Sequence, residues 1–301
     1  MNKSAFLTDP DVQAFLTWIP TRFFANGSFV HRWKDRQTAE DWSCDGLFAA
    51  FKSYRWNLKN WPLNKGELDD YRGRLRSAVS AGDSRTVCDI SEDVLRWGGV
   101  IAHNGPYLRR RGAGFVNELL HMGVVLRAQE TPSRAAMCWQ SGDHTTECRM
   151  NAGFVKIYSV WLDYIVIYDG RVGGALGLLV RQFCEQTGRT KVPDALAFAY
   201  GSPKEAQNPR SPKTRNPSAG RYQFQRLRAD SRFHSEQTMR ASWLLRAALE
   251  AGPHPFSTGE DGFHELAAGL FMIGYDLPQS ASEPMKTVRT AHWPHGVTDV
   301  L

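Results

Sequence analysis

The stretch "YIVIYDGRVGGALGLLVRQF", residues 164–183, decides the fold. A β-branched and aromatic run stops at Asp169, and an apolar run dotted with glycines follows it. Two readings compete. A strand, a phosphate-cradling turn and a helix would form a dinucleotide-binding unit, which needs G-x-G-x-x-G and an acid about 20 residues later. The glycines here are Gly170, Gly173, Gly174 and Gly177, so Val172 stands where that motif needs its first glycine. No strand–helix alternation follows to extend a parallel sheet. The helical reading fits better. Val172, Ala175, Leu176, Leu179, Val180 and Phe183 recur with the period of a helix buried on one face. Asp169 then stands at its N-cap, where a carboxylate accepts backbone N–H bonds and meets the positive end of the helix dipole.

Upstream, "NAGFVKIYSVWLDYIVIY" opens on the turn-forming residues Asn151, Ala152 and Gly153. A helix bearing Lys156, Tyr158 and Trp161 follows and tightens into the β-branched run. The unit reads as turn, lysine-bearing helix, short apolar approach, aspartate cap, buried helix. "WGGVIAHNG", residues 97–105, reads as a helix end and turn, the other possibility being a loop that feeds His103 or Asn104 into a cleft.

The rest of the chain is helix after helix. "DPDVQAFLTWI" offers Asp9 as cap and Pro10 at the first helical position. "DWSCDGLFAAFKSYRW" sets Trp42, Leu47, Phe48, Phe51 and Tyr54 at largely helical spacing, and "SEDVLRWGG" ends at Gly98 and Gly99. "GPYLRRRGAGFVNELLHMGVVLRA" predicts one longer helix with an apolar stripe through Phe115, Leu119 and Met122. "HSEQTMRASWLLRAALEAG" and "EDGFHELAAGLFMIGYDL" predict two more. The pattern is all-α, and the tail from Pro278 reads as irregular.

Apolar residues at 42% and aromatics at 12% exclude global disorder. No apolar run approaches the roughly 20 residues that span a bilayer. The N-terminus lacks a signal-peptide pattern, so a cytoplasmic protein is expected. Five cysteines, widely spaced, predict reduced thiols. Cys138, His144 and Cys148, with His121 upstream, lack the tight spacing of a structural zinc site, so neither metal nor cofactor is expected. The net charge of +6 is compatible with an anionic partner. Residues 201–232 hold four prolines and eight Lys/Arg against two acids, which predicts a loop or insertion. It is either a solvated linker or a phosphate-contacting arm, with Arg221, Arg226 and Arg228 reaching DNA and Tyr222 and Phe224 interleaved for stacking.

The order Gly153, Lys156, Asp169 resembles the helix-hairpin-helix DNA glycosylase superfamily. There a glycine-containing hairpin leads into a helix that carries a lysine in Schiff-base-forming members, and the catalytic aspartate heads the next helix. The "YDGRV" context looks most like the archaeal 8-oxoguanine DNA glycosylase branch. The resemblance implies one catalytic domain over residues 1–301, two helical lobes with the helix-hairpin-helix unit (151–184) between them, and a DNA groove across the junction. It implies a monomer that flips a modified or damaged base out of double-stranded DNA and excises it, leaving an abasic site. An 8-oxopurine, or a hypermodified cytosine of phage DNA in an antiviral role, is the implied substrate.

Asp169 is then catalytic and Lys156 a second catalytic candidate, with Gly153 and Arg171 among the DNA contacts. Trp42, Trp97 and Trp161 are the candidates for the base pocket. Between Lys156 and Asp169 lie fewer than four helical turns, which favours water as nucleophile and Lys156 as a phosphate contact. The alternative function is a non-catalytic helical DNA-binding or adaptor protein in which Asp169 is only a cap. An open cleft at Asp169 separates the two.

Overall fold

The computed structural model describes residues 1–25, 29–35, 40–141, 143–203 and 213–278. Eleven α-helices and two antiparallel hairpins lie among them, so the fold is mainly α. None of these helices is long and apolar enough to cross a membrane. The tail beyond Pro278 and the segment 204–212 fall outside the described residues.

Two short helices, α1 (Lys3–Leu7) and α2 (Pro10–Trp18), open the chain. Asp9 caps α2 through the N–H groups of Asp11 and Val12, with Pro10 at its first position. Strands β1 (His31–Lys34) and β2 (Asp41–Cys44) then form a hairpin that pairs Trp33 with Trp42. This corrects the single helix expected over "DWSCDGLFAAFKSYRW". Trp42 stacks on Trp33 across the ladder (4.7 Å, 13°), and the helix, α3 (Leu47–Lys52), starts only after Gly46.

Helices α4 (Trp61–Ser80) and α5 (Ser84–Trp97) pack on each other. The long helix expected next is two, α6 (Ile101–Arg111) and α7 (Gly114–Arg127), because the chain turns at Gly112 with φ +47°. His103 and Asn104 lie inside α6, not in a loop. The hairpin β3 (Cys138–Ser141) and β4 (His144–Glu147) carries Cys138 and His144. Among the described residues no group of three His, Cys, Asp or Glu is placed to hold a metal.

The lysine-bearing helix and the aspartate-capped helix follow. Helix α8 (Phe154–Trp161) is buried throughout, against α4, α5 and α7. An extended segment then leads to α9 (Gly170–Gln186), which packs on α2 and on α11 (Gly259–Ile273). Helix α9 is buried around most of its girth, not on one face. Its glycines explain how. A Cβ on Gly173 would collide with the Ala199 carbonyl oxygen, and one on Gly174 would sit 2.8 Å from that of Arg215. The glycines let backbone lie directly on the helix, which is a packing role and not a phosphate cradle.

Among the described residues the β-branched run has no strand partner, so its polar backbone needs other neighbours. Helix α10 (Ser231–Glu250) supplies them. Ser242 Oγ accepts the Val166 N–H (3.0 Å), and His234 Nε2–H donates to the Tyr168 carbonyl (2.8 Å). Gln237 Oε1 accepts the Tyr168 hydroxyl (3.3 Å) and the Ala199 N–H (2.9 Å). These polar residues of α10 are buried because they hold the segment that ends at Asp169.

Candidate active site

Lys156 and Asp169 line the same cleft, about 560 Å³ in volume. Each is brought there by a locally legible device. Asn151 Oδ1 accepts the N–H groups of Gly153 (2.8 Å) and Phe154 (3.0 Å), which starts α8. Its amide donates to Asn104 Oδ1 (2.9 Å), and Asn104 in turn donates to the Val100 carbonyl (2.9 Å), clamping the turn onto α6. Lys156 follows within the first turn, only 6% exposed. Its stem lies across Gly98, where any Cβ would displace it, and Nζ donates to the Ala152 carbonyl (2.7 Å). Asp169 caps α9 by accepting the N–H groups of Arg171 (2.8 Å) and Val172 (3.1 Å) through one oxygen.

Their charges are interdependent. Burial pushes the Lys156 ammonium below the ordinary lysine range; Asp169 opposes this, while Arg171 and Arg215 reinforce it. Burial alone would raise the Asp169 carboxyl. Lys156, Arg215, Arg171 and the Val172 N–H outweigh it and hold the group ionised, below the usual carboxylate range. Behind the pair, His234 is fully buried and pushed down to about 4, so at neutral pH it is an uncharged donor to Tyr168.

The walls are aromatic. Trp56, Trp61, Trp97 and Phe271 line the cleft, with Trp56 edge-on to Phe271 (5.4 Å, 85°). Trp56 enters on a tight turn in which Asn57 and Leu58 both take positive φ (49° and 62°). Trp56 Nε1 and Asn57 Nδ2 both donate to the Trp97 carbonyl (2.9 Å each), fixing the turn to the end of α5. Arg171, Arg215 and Arg226 also line the cleft, so among the described residues cations outnumber carboxylates there. Arg171 lies over the rings of Phe271 (4.2 Å) and Tyr275 (4.8 Å).

Of the residues read from sequence, Lys156, Asp169, Arg171, Arg226 and Trp97 come together here. Others do not. Trp42 is engaged with Trp33 in the β1–β2 hairpin, and Trp161 is buried against Gly123 with Arg127 over its ring. Gly153 is buried beneath the Asn104 side chain. Arg221 and Arg228 are exposed, each over a neighbouring ring, Tyr222 and Phe233. Tyr222 and Phe224 are core residues, not free stacking platforms. The Tyr222 hydroxyl donates to the Arg189 carbonyl (2.7 Å), and strand-like alternation turns both rings inward and Arg221 outward.

Lys156 is not an exposed phosphate contact either. The thirteen residues to Asp169 are not continuous helix: the extended segment returns the head of α9 to the head of α8. Sequence reasoning missed Tyr54, Trp56, Trp61, Arg215, His264 and Phe271. The available signal was the aromatic spacing of "YRWNLKNW", residues 54–61, just before a Pro-containing helix start. With known proteins the comparison returns nothing: no family model, no curated protein and no solved structure matches this chain.

Proposed function

We propose that the chain is a DNA N-glycosylase that takes a modified or damaged base into the aromatic cleft and excises it. One observation carries the reading: an ionised Asp169 beside a buried Lys156 of lowered pKa, in a cleft walled by tryptophans. Cleaving an N-glycosidic bond builds positive charge on the sugar, which a fixed carboxylate stabilises. A neutral amine forms its bond to C1′ as the bond to the base breaks, and the base leaves with that electron pair. Lys156 fits the amine because burial favours its uncharged form. The aromatic walls suit a base taken out of the stack, and Arg171, Arg215 and Arg226 suit the flanking phosphates. In this reading the helices packed around α8 and those packed around α9 are the two lobes, with the helix-hairpin-helix unit joining them.

The test is base release from a panel of duplexes carrying single modified bases and from phage genomic DNAs. The wild-type chain should release a base from at least one of them. Asp169→Asn keeps shape and removes charge, so it should abolish release while DNA binding stays within a few-fold. Asparagine caps helices about as well as aspartate, so the variant should remain folded. Release at the wild-type rate from Asp169→Asn, or no release from any DNA by the wild type, overturns the reading. DNA binding without release by the wild type would identify a non-catalytic binding protein.

A further inference from the structure

One polar group in the cleft has no task within the fold. Tyr54, just beyond α3, is 8% exposed and lines the cleft. Its ring stands edge-on to Trp61 (5.3 Å, 87°) and tilted on Phe271 (5.9 Å, 45°), which leaves it little freedom. Asp169 and Arg171 both act electrostatically on its hydroxyl. Among the described residues that hydroxyl has no hydrogen-bond partner. The hydroxyl is not sealed within the core but opens to the cleft, where a ligand can meet it. Burial raises its pKa, which keeps it a neutral donor at physiological pH.

The surrounding chemistry says what it meets. Arg171, Arg215 and Arg226 can only donate, and one oxygen of the Asp169 carboxylate already accepts two backbone N–H groups. A ring that binds between the tryptophans is therefore offered more donors than acceptors, which suits a ring that brings acceptors. We propose that Tyr54 is a specificity-determining residue: its hydroxyl donates to a carbonyl oxygen of the bound ring, selecting oxo-bearing nucleobases over rings without that oxygen. This rests on the nucleobase reading above, and it adds the residue that chooses among bases. A ring lacking the oxygen leaves the hydroxyl unpaired in the closed complex, which is the most discriminating kind of mismatch.

The probes are hypoxanthine and purine, which differ by the 6-oxo group and its attendant ring hydrogen. Binding is read from the fluorescence of Trp56, Trp61 and Trp97 and needs no cleavage. The wild-type chain should favour hypoxanthine by about tenfold or more. Tyr54→Phe keeps the ring and removes the oxygen, so it should bind both probes alike. Its thermal stability should not fall, because the hydroxyl makes no hydrogen bond among the described residues. A preference that survives in Tyr54→Phe overturns the proposal, as does a wild type with no preference or no binding. A less stable variant that keeps the preference marks a purely structural tyrosine and overturns it equally. A Tyr54-dependent preference in a chain that releases no base from any duplex would refute the glycosylase reading alone. Base release with a preference indifferent to Tyr54 would refute only this inference.

Discussion

Lys156 shows how far one side chain depends on its surroundings. The same lysine on an exposed helix would be a protonated phosphate contact. Here Gly98 makes room for its stem, the protein covers it, and Asp169 is its charged neighbour. Because its pKa is below the ordinary lysine value of 10.5, the neutral amine becomes available at lower pH than for a free lysine. Base release should therefore rise with pH and level off below the range where ordinary lysines lose their protons. Borohydride should trap a covalent protein–DNA adduct, and Lys156→Gln should remove both adduct and release. A variant that releases base at the wild-type rate with no adduct would assign the attack to water.

At the scale of elements, α9 is a helix whose sequence looks unfavourable for one. Glycine inside a helix costs up to about 1 kcal/mol relative to alanine, so replacing an exposed one usually stabilises. Gly173 should behave in the opposite way. The Ala199 carbonyl occupies the space its Cβ would need, and the backbone there is held by Gln237 and Tyr168. Gly173→Ala should destabilise by roughly 1–3 kcal/mol through overpacking, read as a lower urea midpoint. A midpoint at or above the wild-type value would mean that the segment through Ala199 moves aside easily. Helix α10 follows the same logic from the other side: Ser242, Gln237 and His234 are polar residues in the interior because the extended segment brings unpaired backbone to them.

For the whole molecule, the distribution of charge says more than the total of +6. Arg226 reaches the cleft, while Arg221 and Arg228 point to solvent from the same extended segment, whose Tyr222 and Phe224 anchor it to the core. That arrangement combines a fixed backbone with outward cations, of which Arg226 stands at the cleft. Neutralising Arg221, Arg226 and Arg228 together should weaken binding to any duplex. The salt dependence should flatten by about 0.9 in slope for each phosphate that the variant no longer neutralises. An unchanged slope would leave these arginines as ordinary surface cations.

By itself the sequence determined what depends on near neighbours along the chain. The helical character, the Asp169 cap, the Asn151 turn and the placing of Lys156 at the head of α8 all follow from spacing and capping chemistry within a few residues. Where periodicity ran on across a turn, as from Trp42 into α3 or through Gly112, it misled, because a turn resets the helical phase without leaving a mark in the pattern. Only the tertiary structure decided which tryptophans share the cleft, that Tyr222 and Phe224 are core, and that Lys156 is buried beside Asp169. Those outcomes depend on where an unpaired extended segment finds partners for its backbone. Here the partners are α10 side chains more than sixty residues away, a separation that local spacing does not encode.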